Sequence, residues 1–223
     1  MLTIGIDFGT TNCSAAICRD GQVELIPLED GNTILPSTIC ITREGEIRIG
    51  RAAIERFLEL TRNRAIRYKF TDLRRLTSVY TDHLDESVVS SDEDLVVVST
   101  PGDEEDLDWP ARLFQSLKTG LRDPHFAGTT VYDTYYAMED LIALVLRHIR
   151  RCAEAHLGEP VRAAVIGRPV SYVGTAETGV APEVVDETAH ERMLAAARIA
   201  GFDEAALLLD LRYPPRDRIR WLT

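Results

Sequence analysis

Short apolar runs separated by turn-forming residues fill the first fifty positions. Leu2 to Ile6 are mostly aliphatic and bounded by turn formers, the mark of a buried strand, and Asp7 stands at its mouth. CSAAICR and QVELIP follow as second and third strands, joined by Asp20-Gly21, a dipeptide that favours a tight primed turn. PSTICI and GEIRIG predict a further strand pair. The period then changes, and RAAIERFLELTRNR carries helical spacing with a basic face. From Thr81 to Asp108 the chain is acidic and loop-like, with LVVV at 95 to 98 as a short strand, so the middle reads as an insertion with a solvated face.

The second half is more regular. In MEDLIALVLRHIRRCAEAH, residues Leu141, Leu144, Val145, His148, Ile149 and Cys152 share one helical face. Glu139 and Asp140 lie at the helix's positive end, and Arg147, Arg150 and Arg151 lie toward its negative end. Gly158 ends it. AAVIG at 163 to 167 reads as a buried strand, EVVDETAHERMLAAARIA as a helix stopped by Gly201, and AALLL at 205 to 209 as another strand. Strand, strand, strand, helix, strand, helix, strand is the predicted skeleton of an α/β chain.

Composition narrows the partners. With 223 residues and 45% hydrophobic positions the chain can bury one good core or two small ones. A net charge of -11 argues against nucleic acid and against an anionic membrane surface. Cys13, Cys18, Cys40 and Cys152 form no CxxC pair, and Cys13 and Cys18 lie in an apolar segment, where they read as small core residues suited to a reducing compartment. The longest aliphatic run, LIALVL, is far short of a membrane span, and a cytoplasmic location is expected.

The chemistry concentrates at IGIDFGTTN. Gly9 allows close backbone approach, while the amides and hydroxyls of Thr10, Thr11 and Asn12 are free to face a bound group. Oxygen and amide donors beside the single carboxylate of Asp7 suit a phosphate chain with magnesium held through its water shell. A carboxylate that merely caps a turn is the plainer alternative. Five histidines show no ligand spacing, and His148, on an apolar face, reads as a packed core residue.

IGIDFGTTNCSAAI, IGRPV and ARIAGF together resemble the actin-like ATPase domain of DnaK-type heat-shock chaperones, most closely the YegD-like branch. The resemblance covers most of residues 1 to 209 and is weakest in the middle third. It implies a ribonuclease-H-like subdomain, residues 1–39 and 128–210, carrying an inserted smaller subdomain, 40–127. It also implies ATP and magnesium as ligands, and clients or co-chaperones as partners of a full-length form only. IGIDFGTTNCSAAI then corresponds to the first phosphate loop, and Pro169 to the proline that relays nucleotide state.

The family's catalytic lysine has two candidates, because the chain has only two lysines. LFQSLKTGLRD resembles the segment in which that lysine follows a serine-containing turn, which favours Lys118; Lys69 lies in a basic helical run. A compact ammonium can place charge on a terminal phosphate and orient water.

After AGF the family continues to a glutamate-proline strand end, a second phosphate loop and a second lobe. This chain reads AALLLDLRYPPRDRIRWLT instead, with Asp210 near the position of the family's glutamate, where it joins Lys118 and Asp7 as a candidate catalytic residue. The expectation is a chain truncated to the first lobe, with residues 211–223 an irregular tail such as a frameshift leaves. Three functions follow: ATP binding and hydrolysis, a catalytically silent fragment or interaction module, and, less favoured, a sugar-kinase-like phosphotransferase. The last lacks a persuasive aspartate base and sugar site.

Overall fold

The computed structural model describes residues 2–62, 109–121, 126–169 and 182–210. Its centre is a mixed sheet built on the alternation of strands β1 (Leu2–Phe8) and β2 (Asn12–Arg19). In β1, Ile4, Ile6 and Phe8 are buried while Thr3, Gly5 and Asp7 face out; in β2, Cys13, Ala15 and Ile17 are buried. A strand's side chains alternate between faces, so odd and even positions part company. Cys18 therefore corrects the sequence reading: it is exposed, on the opposite face from Cys13, because the two positions differ in parity.

Strand β3 (Gln22–Leu25) returns along β2 through Asp20 (φ 51°) and Gly21 (φ 76°), the left-handed pair that a primed turn requires. β4 (Ile34–Pro36) shares the same edge of β2, pairing with Asn12 to Ser14. On the other side β1 pairs in parallel with β10 (Val161–Pro169), and β10 with β11 (Glu204–Asp210). The order is β11-β10-β1-β2-β3, with β4 beside β2.

A second sheet, β6-β5-β7, combines β5 (Ile39–Thr42), β6 (Ile47–Ile49) and β7 (Ala111–Phe114) under helix α1 (Arg51–Thr61). All four residues of β5 are buried because the strand is a wall shared by two cores. Ile39 and Ile41 join the main core, whereas Cys40 packs with Ala53 and Ala111 near α1. The face of α1 is not uniformly basic. Arg56 is paired with Glu46 and Glu59, and Arg48 with Glu46, so acid and base interleave.

Beyond β7 come a single turn of helix, α2 (Leu117–Gly120), and a hairpin of β8 (Gly128–Val131) and β9 (Thr134–Ala137). Helix α3 (Met138–Leu157) follows, with the N–H of its cap residue Ala137 donating to the Asp140 carboxylate (3.0 Å) and its end set by Gly158 at φ 71°. Its most buried stripe is Met138, Leu141, Ile142, Val145, Leu146, Ile149 and Ala153. Leu144, His148 and Cys152 lie at the margin, half-buried, because α3 is pressed by the sheet and by α4 (Pro182–Ala200). His148 Nε2 lies 2.9 Å from the Leu28 carbonyl, so the histidine is anchored by a polar contact at the margin rather than packed in the core as expected.

The helices cover one face of the main sheet. The other face carries three rows in register: Leu25, Ala16, Gly5, Val165 and Ala206; Ile34, Ser14, Asp7, Gly167 and Leu208; and, at the far end, Val23 beside Cys18 on one side and Thr3, Ala163 and Glu204 on the other. Val23, Leu25, Ile34 and Leu208 are exposed by 53–73%. Among the described residues no helix is long and apolar enough to cross a membrane.

Candidate functional site

Parallel strands β1, β10 and β11 end at one edge of the sheet, and the candidate residues collect there. Asp7 lies next to last in β1, opposite Gly167 of β10 and Ser14 of β2, with its side chain on the exposed face. Pro169 and Asp210 are register partners at the ends of β10 and β11. Ligands in open α/β sheets bind outside such carboxyl ends. The backbone thus brings Asp7, Pro169 and Asp210 to one edge.

Residues Gly9 to Thr11 form the connection from β1 to β2. A Cβ at Gly9 would collide with the carbonyl oxygen of Asn12, so the loop folds on itself too tightly for any other residue. The closeness that glycine permits is to the loop's own backbone. Thr10, Thr11 and Asn12 are exposed.

Beneath the loop lies a support that sequence reasoning missed. Ser37, 1% exposed, donates its hydroxyl to the Gly9 carbonyl (2.9 Å) and its amide to the Thr11 carbonyl (2.8 Å). Cys13 Sγ lies 3.1 Å from Ser37 Oγ. Burial pushes the Cys13 thiol up to about 11, against the lowering effect of hydrogen bonds from Ser37 and at Gly9. Asp7 raises it further and Lys118 lowers it, so both charges lie within electrostatic reach of the same thiol. A lone serine after a proline carries no signal of this role in the sequence.

Lys118 is half-buried in α2, two residues after Ser116, whose φ of 53° makes the serine-containing turn. Lys69 falls outside the described residues, as do the acidic segment 81–108, its LVVV run and the tail 211–223. Among the described residues no three His, Cys, Asp or Glu side chains converge as a metal site. Asp7 is a single exposed carboxylate, a donor suited to an ion's water shell rather than to direct ligation.

The model of the Hsp70 protein family matches residues 3–180, a span holding both the loop and β10. The chain belongs to the Hsp70 family. It is 26% identical over 208 residues to the chaperone protein dnaK1 of Prochlorococcus marinus (strain MIT 9313), covering 91% of this chain and 27% of the relative. The dnaK1 chaperone of Parasynechococcus marenigrum (strain WH8102) is 25% identical over 209 residues, covering 92% and 28%. The chain thus spans little more than a quarter of the length of these Hsp70 relatives. Its mixed sheet with helices on one face is consistent with the nucleotide-binding lobe of an Hsp70 protein.

Proposed function

We propose that this Hsp70-family chain is an ATP-binding lobe of the DnaK type, of the YegD-like branch and with a ribonuclease-H-like, actin-type core, residues 1–39 and 128–210, and an inserted subdomain, 40–127. The observation that carries the reading is an exposed, glycine-tightened loop that follows a strand-end carboxylate at the carboxyl edge of parallel strands. These residues fit a nucleotide with magnesium: Gly9 lets the loop fold tightly on itself beside Asp7, and the loop supplies hydroxyl and amide donors. Thr10, Thr11 and Asn12 would hold phosphate oxygens, and Asp7 would order the water shell of the ion. Magnesium, when bound, neutralises charge on the phosphates.

In the catalytic version of this reading Lys118 orients the attacking water and balances charge that grows in the transition state, Asp210 supplies a second carboxylate, and Pro169 relays the nucleotide state between strands. Clients and co-chaperones belong to a longer protein. A second reading, a silent interaction module, is favoured by the exposed apolar face of the sheet.

Calorimetry and turnover separate the two. Magnesium-ATP is expected to bind weakly, on the order of millimolar, because one lobe supplies only part of the contacts. Asp7→Asn should weaken the magnesium-dependent part of that binding. Lys118→Ala should leave binding largely intact and lower turnover roughly a hundredfold, the loss expected for one well-placed electrostatic group. Lys69→Ala should change little. Turnover lost with Lys69→Ala but kept with Lys118→Ala would reassign the lysine, and an unmutated chain no faster than buffer would leave the interaction module.

A further inference from the structure

The loop that we read as binding phosphate is gripped at both ends by one residue outside it. Ser37 lies between β4 and β5, and it takes the Gly9 carbonyl with its side chain and the Thr11 carbonyl with its backbone. In a trans peptide the carbonyl and the next N–H point in opposite directions. Holding the Gly9 carbonyl toward Ser37 therefore turns the Thr10 N–H away from it, and holding the Thr11 carbonyl does the same for the Asn12 N–H. Anion sites of this type depend on successive amides aimed outward.

We propose that Ser37 is a positioning residue that sets the direction of the loop amides, chiefly that of Thr10, for a phosphate group. The inference rests on the nucleotide reading for its ligand, but the geometry it invokes belongs to the loop itself. With the Ser37 proton donated to Gly9, its oxygen is left to accept from the Cys13 thiol at 3.1 Å. A relay thus runs from thiol to hydroxyl to carbonyl, and the buried Ser37 hydroxyl is used as both donor and acceptor. A buried hydroxyl without this arrangement would be costly. It also places the link at the junction of the two sheets, since Ser37 is followed by Thr38, whose carbonyl accepts from Gly50 at the start of α1 (2.9 Å).

Ser37→Ala removes the grip on Gly9 and keeps the amide that holds Thr11, so the two loop amides report separately. Amide NMR of the 223-residue chain should show lowered heteronuclear NOE and a shifted resonance at Thr10, a much smaller change at Asn12, and none in α3. Magnesium-ATP should bind about tenfold more weakly than to the unmutated chain. Ser37→Thr, which keeps the hydroxyl, should restore the Thr10 signal. Cys13→Ala, which empties space under the loop but leaves Ser37 on Gly9, should not reproduce the effect. Equal changes at Thr10 and Asn12, an unchanged Thr10, or the same disturbance from Cys13→Ala would overturn the proposal. If Ser37→Ala fails to fold, Ser37→Cys, a weaker donor, should move Thr10 in the same direction by less, and no movement there would also overturn it. Absence of nucleotide binding to the unmutated chain would remove the nucleotide reading, while the NOE comparison still judges Ser37.

Discussion

Cys13 shows how much a single buried group adds beyond what its position in the sequence conveys. Its thiol is held near 11, above the ordinary value of 9.0, chiefly by burial. A group whose folded value is raised contributes stability that is intact below the unfolded value and is lost as pH climbs toward the folded one. Stability should therefore fall between about pH 9 and 11, by up to roughly 1.4 kcal/mol per pH unit from this thiol. Cys40, Cys152 and Tyr132 are also raised by burial, so the measurement is a difference: urea unfolding against pH for the unmutated chain and for Cys13→Ala, with the steeper alkaline slope in the former. Parallel slopes would show that the thiol is not desolvated as described. Gly9, Thr10 and Thr11 were legible as a loop after the strand-end Asp7 because carboxylate, glycine and hydroxyls occur in order. Ser37 was not, since its role arises only where a distant connection passes under that loop.

Among the elements, α1 depends on a residue twenty-two positions before it. The two carboxylate oxygens of Glu29 accept the N–H groups of Arg51 and Ala52, each at 3.0 Å, and no side chain of the helix's own cap residue does so. Gly50 makes room: at φ 72°, a Cβ there would strike Leu35 Cδ1 and meet Glu29 Oε1 at 2.9 Å. Glu29→Ala should cost about 1–2 kcal/mol, the range for a lost cap with charge-assisted bonds, read as a lower urea midpoint. Long, periodic elements were legible in advance: β1 to β3, α1, α3, α4 and β11 lie close to their expected positions. The β8–β9 hairpin was not, because its turn places Tyr132, rather than Gly or Asn, at φ 54°. Its hydroxyl bonds to the Trp109 carbonyl (3.0 Å) and Arg43 lies 5.0 Å over its ring, tertiary contacts with no local signature. β7 escaped notice for a related reason, as ARLF is short and gains its place by pairing with β5.

For the molecule as a whole, the two faces of the main sheet differ in what they meet. One is closed by α3 and α4; the other presents Val23, Leu25, Ile34 and Leu208 to solvent around Ala16, Gly5 and Val165. Parallel strands are ordinarily covered on both sides. An apolar face of this kind should drive association between copies of the chain. Light scattering after size exclusion should report mass rising with concentration, and Leu25→Lys with Leu208→Lys should return it toward the monomer. A monomer at every concentration in the unmutated chain would count against the face as a contact surface. Which sheet face is apolar was legible only in part: the strands could be found one by one, but their register across the sheet could not.

The pairing of Leu2 with Val161 also sets when the loop gains its strand neighbour. At roughly 5–20 residues per second, a ribosome delivers β10 about eight to thirty seconds after β1. Until α3 is made near the end of that interval, Ile4, Ile6 and Phe8 have the local strands β2 to β4 beside them. Assembly of the central strands thus waits for a partner far along the chain, and contacts so distant are slow to form. The GTTN segment thus meets its Ser37 support early, while the parallel strand edge beside it waits for β10.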